Sequence, residues 1–160
     1  MENRMELTFT ACPQNESFAR VAVAAFAVQL SPTLSEMADI KTAVSEAVTN
    51  AIVHGYRDRE NSPDNLVRLR AVLGERRVLM VTVSDEGCGI EDVEQAMQPF
   101  FSTGDGTERS GMGFCVMQTF MDAVEVESSP GHGTTVTMRK YISANDPPLR
   151  AAGPAQAARA

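Results

Sequence analysis

Apolar positions along this chain repeat with two different periods, and the two patterns fall in separate blocks. Leu7-Thr8-Phe9-Thr10-Ala11 alternates and predicts a first strand. The spacing then turns helical. A helix capped by Asn15 is expected to run to about Leu30, with Pro32 ending it. A second helix, capped by Ser35, carries Ile40, Val44, Ala47, Val48 and Ala51 on one stripe, and Gly55 is expected to close it as the C′ residue. After a polar loop over 58–65, residues 67–73 and 78–84 predict a hairpin around Gly74-Glu75-Arg76-Arg77. A short helical turn over 91–97 follows. Residues 99–110 hold glycines and small polar residues without periodicity, as expected of a lid. A helix over 111–121 and a last hairpin, 124–127 with 134–141, complete the pattern.

Helices clustered early and strands joined mostly by hairpins predict an α+β fold. Its architecture is a two-layer sandwich of a mixed, largely antiparallel sheet with helices on one face. Residues 1–142 form this single domain. Residues 143–160 carry almost no large apolar side chains and are expected to be a disordered tail.

Composition narrows the partners. The chain has 160 residues and a formal net charge of −7, with no Lys/Arg cluster on any helix or loop, which argues against a nucleic-acid groove. The first residues are charged and lead into no signal-type apolar core. The longest helical apolar stretch, 21–30, is about half the roughly 20 residues a membrane span needs. A cytoplasmic protein without a membrane anchor is expected. Its 3 cysteines, Cys12, Cys88 and Cys115, lack the paired spacing of a zinc site and read as reduced thiols.

Candidate chemistry sits in four segments. Asp85-Glu86-Gly87-Cys88-Gly89-Ile90 follows the apolar run 78–83, so a strand delivers a carboxylate to its end and two glycines let the backbone bend against a ligand. Alone this is also the composition of an ordinary strand-to-loop turn. Glu46 and Asn50, four apart in Glu46-Ala47-Val48-Thr49-Asn50, project from one side of a helix. That spacing equally suits a solvated helix face, although Val48, Ala51 and Ile52 surround the pair. Gly111-Met112-Gly113-Phe114 opens a helix, whose N-terminus offers N–H groups to phosphate. It lacks the Gly-Lys-Ser/Thr of a Walker loop, and a glycine-rich cap is the plain alternative. Gly131-His132-Gly133-Thr134-Thr135 lies near the end of the pattern.

In this order and spacing the four segments resemble the N, G1, G2 and terminal Gly-Thr boxes of the GHKL ATPase superfamily. Within it the chain is most similar to the small serine kinases that act as anti-sigma factors in sporulation. The similarity is carried by Gln14-Asn15-Glu16-Ser17-Phe18-Ala19-Arg20-Val21, by Val44 through Ile52 with His54-Gly55-Tyr56, and by Glu108-Arg109-Ser110-Gly111-Met112-Gly113-Phe114.

The resemblance implies ATP or ADP with Mg²⁺ as ligands. Asn50 would hold the metal and Glu46 would be the general base toward an attacking hydroxyl. Asp85 would accept a hydrogen bond from the exocyclic amine of adenine, where guanine presents a carbonyl. Gly87 and Gly89 would pass along the base, and Thr134 would complete this pocket, with Thr135 and Thr137 left as plain strand threonines. Ser110, Gly111, Met112 and Gly113 would cradle the phosphates. Arg109, the one cation between 100 and 110, would neutralise the transferring phosphoryl; the alternative is a surface arginine paired with Glu108. Met112, Met117 and Met121 read as core packing, and Arg20 as a partner contact by resemblance or an exposed charge by chemistry alone.

The partners implied are a sigma factor of the sigma F type, an anti-anti-sigma factor whose serine accepts phosphate, and a second copy in a homodimer. Three other readings share the motifs. They are a sensor histidine kinase domain, a nucleotide-dependent sigma-binding switch without kinase activity, and a stress-response anti-sigma kinase. The first needs an upstream helical segment bearing a phospho-accepting histidine, whereas His54 and His132 fall within or beside fold elements and the fold starts almost at Met1.

Overall fold

A computed structural model describes residues 2–98 and 113–143. Its sheet has five strands: β1 (Asn3–Thr10), β2 (Leu66–Gly74), β3 (Val78–Asp85), β4 (Ala123–Ser128) and β5 (Thr134–Tyr141). They lie in the order β1-β2-β3-β5-β4, and every neighbouring pair is antiparallel. The alternation of side chains fixes the register. Leu7, Leu69, Val83, Val136 and Val126 line up across the sheet on one face. The adjacent row, Glu6, Arg70, Thr82, Thr137 and Glu125, lies on the other. A slip by one residue would exchange the two faces, so the apolar row locks the pairing. On the polar face Thr82 and Thr137 share a 3.2 Å hydrogen bond and Arg70 pairs with Glu6 at 3.6 Å.

The apolar face is covered by helices α1 (Gln14–Ala27), α2 (Leu34–Thr49) and α4 (Gly113–Phe120); α3 (Val93–Ala96) is a single turn leading out of the β3 loop. Ala19, Val23 and Ala27, each four apart, are fully buried on α1, and Ile40, Ala43, Val44, Ala47 and Val48 are buried on α2. Truncating Ile40 to alanine would cost about 2–5 kcal/mol through lost burial and the cavity left behind. No helix among the described residues is long and apolar enough to cross a membrane. The two-layer α+β arrangement read from the sequence is the observed one.

Three local expectations differ. Asn15 does not cap α1: it lies in the first turn, and its amide donates to the Thr10 carbonyl at 2.9 Å, tying the helix to β1. Ser35 does not cap α2 either. Thr33 does, through a capping box in which its hydroxyl accepts from the Glu36 N–H (3.1 Å) and the Glu36 carboxylate accepts from the Thr33 N–H (2.8 Å). Beyond α1 a short 3₁₀ turn, Val28–Leu30, ends on Ser31 in the left-handed region at φ 47°. Gly55 is no left-handed cap, because α2 runs on into a π-helical turn over Asn50–Gly55 and Gly55 keeps a negative φ.

Glu36 also receives the end of β5. Both the backbone N–H (2.8 Å) and the hydroxyl (2.6 Å) of Ser143 donate to its carboxylate. Burial works to raise the Glu36 carboxyl, but the Ser143 and Thr33 hydrogen bonds outweigh it and hold the group at about 2, below its ordinary 4.5. Arg77, left-handed at φ 60° in the β2–β3 turn, adds bonds to the carbonyls of Leu30 (2.6 Å) and Ser143 (2.7 Å). Ser143, the first residue of the expected tail, is thus tied to the domain. The rest of that tail, 144–160, and the expected lid over 99–110 lie outside the described residues.

Candidate functional site

Asp85 ends β3 on the apolar face and is 8 % exposed. Its Oδ1 accepts the Gly87 N–H at 2.9 Å, and the N–H of Thr134, its register partner on β5, donates to the same carboxylate. Burial pushes the Asp85 carboxyl above its ordinary value; the Gly87 and Thr134 amides and the charge of Arg59 offset only part of this. A buried carboxylate has room for about four hydrogen bonds. With two backbone donors in place, this one can take another donor from a ligand.

The backbone around it leaves no space for side chains. A Cβ on Gly55 would lie 2.8 Å from the Asp85 Cγ, and one on Gly87 would lie 1.8 Å from the Gly55 carbonyl oxygen. The role of Gly55 is therefore close approach, not helix capping. Gly89 (φ 72°) and Gly133 (φ 78°) turn the two loops that meet beside Asp85, with the Cys88 carbonyl accepting from the Gly131 N–H at 2.7 Å. Thr134 contributes its N–H to Asp85, while its hydroxyl shares a 2.9 Å hydrogen bond with Ser128. Ser128 also donates to the Gly133 carbonyl and accepts from Ile90 N–H, both at 2.9 Å, so it stitches the Asp85 loop to the β4–β5 turn.

Glu46 and Asn50 stand one helical turn apart on the last residues of α2 and the start of the π turn, each half-buried. Gly113, the first described residue of α4, lies flat against them. A Cβ there would be 3.2 Å from both side-chain atoms of Asn50 and 3.3 Å from Glu46 Oε2. Segments far apart in sequence thus meet: a carboxylate, an amide and the beginning of a helix. Arg109, Ser110, Gly111 and Met112 lie outside the described residues. Among the described residues no group of three or more His, Cys, Asp or Glu side chains could hold a metal. A hard cation bound through an amide oxygen and phosphate oxygens needs no such group, and Asn50 beside Gly113 offers the amide.

Met117 and Met121 are core residues. His132 sits in the exposed β4–β5 turn with Nδ1 3.0 Å from the Pro130 carbonyl. Cys12, Cys88 and Cys115 are free thiols. Arg20 pairs with Glu16 at 3.7 Å on α1, and Glu16 in turn takes the Ser45 hydroxyl of α2. The sequence reading gave no role to Tyr56 or Ser128, which join the Asp85 loop from 30 and 38 residues away. The one sequence signal was the position of Tyr56 directly after Gly55.

This fold and site belong to one class, the histidine kinase-like ATPase domain, and the pattern of that family matches residues 9–140. Solved structures agree at the level of fold. The RsbU and RsbW domains of a Mycobacterium tuberculosis protein superpose with a TM-score of 0.64 at 20 % identity, over 88 % of this chain and 32 % of that one. A blue-light activated histidine kinase domain from Erythrobacter litoralis gives 0.54 at 21 %, over 79 % and 60 %. Sequence similarity is far closer to proteins named anti-sigma F factor. Identity is 58 % over 143 residues to that of Caldanaerobacter subterraneus, covering 89 % of this chain and 96 % of the relative. It is 53 % over 142 residues to that of Clostridium beijerinckii, covering 89 % and 96 %. The chain belongs to the anti-sigma F factor family.

Proposed function

We propose that this chain is an ATP-dependent protein serine kinase that is also an anti-sigma factor, holding a sigma factor of the sigma F type and phosphorylating a serine of its anti-anti-sigma antagonist. The reading rests on one observation above all: Glu46, Asn50 and Gly113 converge at one end of the Asn50–Gly55 turn, whose other end packs on the buried carboxyl of Asp85. ATP has matching ends, an amine donor on its base and a chain of anionic phosphates.

In this reading Asp85 accepts the adenine amine and Gly87, Gly89 and Thr134 shape the base pocket. Ser110, Gly111, Met112 and Gly113 line the phosphates. Mg²⁺, when bound, neutralises phosphate charge, and Asn50 would hold it through its side-chain oxygen. Glu46 takes the proton of the incoming serine hydroxyl as the oxygen–phosphorus bond forms. The bond between the γ-phosphorus and the β–γ bridging oxygen breaks, leaving ADP and phosphoserine. Arg109 meets the negative charge on the phosphoryl group in flight. The name shared by the relatives supports a sigma factor as partner. The remaining features of the proposal, a cytoplasmic homodimer that regulates sporulation transcription through proteins and not DNA, follow from the resemblance and the acidic composition.

The test mixes the protein with radiolabelled ATP, Mg²⁺ and candidate sigma and anti-anti-sigma proteins. Label on a serine of the anti-anti-sigma protein is the expected result. Nucleotide-dependent sigma binding with no label transferred would instead make the protein a non-enzymatic switch, and label on a histidine would overturn the serine-kinase reading.

A further inference from the structure

Tyr56 is buried at 6 % exposure directly after the π turn, and its hydroxyl does two jobs. It donates to the Leu66 carbonyl at the start of β2 (2.6 Å) and accepts from the N–H of Glu86, the residue after Asp85 (2.9 Å). The two residues before it are bound to the same loop. The Gly55 carbonyl accepts the Cys88 N–H at 2.7 Å, and the His54 carbonyl accepts the Cys88 thiol at 3.3 Å. The Gly55 Cα packs directly on the Asp85 carboxylate. Residues 54–56 are therefore sewn along residues 85–88, while the other end of the same turn carries Asn50 and, one turn earlier, Glu46. Outside the ring, the Arg59 guanidinium lies 5.5 Å from its centroid. π-helical turns concentrate at functional sites, where they re-aim a helix end.

We infer that Tyr56 is a positioning residue: its hydroxyl sets the height of the Asp85 carboxylate against the Asn50–Gly55 turn, and so couples recognition of the nucleotide base to the phosphate end of the cleft. This deepens the ATP reading and rests on it. Without the hydroxyl, the Glu86 N–H loses its acceptor, and the Cys88 bonds to Gly55 and His54 are what still tie the Asp85 loop to the π turn; its links to Arg68, Ser128 and Gly131 run to other elements. A carboxylate must sit within a few tenths of an ångström of its partner for a short bond, so the first property lost is discrimination for the amine.

The experiment compares Mg·ATP with the Mg complex of purine riboside triphosphate, which differs only by lacking the exocyclic amine. The wild-type protein is expected to prefer ATP by about tenfold or more, the weight of one hydrogen bond to a buried charged group. In Tyr56→Phe that ratio is expected to fall to about threefold or less, with the melting temperature lowered by no more than a few degrees. A purely structural tyrosine would weaken both ligands equally and leave the ratio intact, and that result overturns the proposal. Should the phenylalanine variant fail to fold, Tyr56→4-aminophenylalanine takes its place, since the amine keeps a donor for the Leu66 carbonyl but gives the Glu86 N–H a poor acceptor. It is expected to narrow the ratio by a smaller factor, about twofold, and an unchanged ratio overturns the proposal. A wild-type ratio near one is a different failure, since it removes the contact between Asp85 and the adenine amine itself.

Discussion

Glu36 at the start of α2 and Asp85 at the end of β3 expose similar shares of their surface, 9 % and 8 %, yet their carboxyls move in opposite directions. Glu36 accepts from Thr33 and twice from Ser143, all donors built into the fold, and it sits at about 2. Among the described residues Asp85 accepts from two amides and feels the charge of Arg59, and burial still wins, so its charged form is under-compensated. Two things differ: Asp85 lies deeper among protein atoms, and it has fewer donors. A buried carboxylate whose donors come from the chain itself is a fastener; one left short of donors is poised for a ligand that brings one.

That contrast can be broken at several points. The largest effect is expected at a third carboxylate, Glu46, proposed as the general base. Glu46→Gln should retain ATP binding and the melting temperature but lower phosphotransfer about 10²–10⁴-fold. Unchanged transfer would return Glu46 to an ordinary helix face. Next, Asp85→Asn should weaken ATP by about 1–3 kcal/mol, roughly 5- to 150-fold, while thermal stability holds or rises because a poorly compensated charge has gone. A melting point that collapses with ATP affinity unaltered would make Asp85 a second fastener. Glu36→Gln should do the reverse, costing about 1–2 kcal/mol of stability through the weakened capping box and Ser143 latch, with ATP affinity unchanged.

Acidification separates the two groups with a smaller effect. The lowered Glu36 carboxyl contributes stability that is fully present above its ordinary 4.5 and is lost as pH falls from there toward about 2. The raised Asp85 carboxyl has the opposite sign: the empty protein gains stability on protonation, and that gain is lost as pH rises through its folded value. ATP affinity, which needs the ionised acceptor, should therefore decline on acidification before the Glu36 latch gives way. Melting curves and nucleotide titrations across the same pH series check both signs, and Asp85→Asn should flatten the affinity profile.

Much of this molecule was legible along the chain because hairpins and amphipathic helices write their periods locally. The two hairpins, the α2 stripe and the order of the four glycine and carboxylate segments needed no tertiary information, whereas the pairing of β1 with β2 and of β3 with β5 was not read from the chain. Caps were harder. Asn15 and Ser35 are good cap residues, but which residue caps a helix depends on where the chain enters it, and Thr33 with Glu36 formed the stronger box. Gly55 was read as a helix end because its real neighbour, the Asp85 carboxylate, lies beyond a whole hairpin strand. Tyr56 was invisible for the same reason, since its hydroxyl meets a backbone group 30 residues away. Contacts between loops at the end of a sheet carry no period, and only the fold brings them together.

The central claim is that Asp85 is a carboxylate left short of donors so that an adenine amine can complete it. Calorimetric titration of the wild-type protein with Mg·ATP and Mg·GTP tests this most directly. ATP is expected to bind and GTP to bind far more weakly, because a guanine carbonyl would face the carboxylate acceptor to acceptor. Equal affinity for the two nucleotides would contradict it.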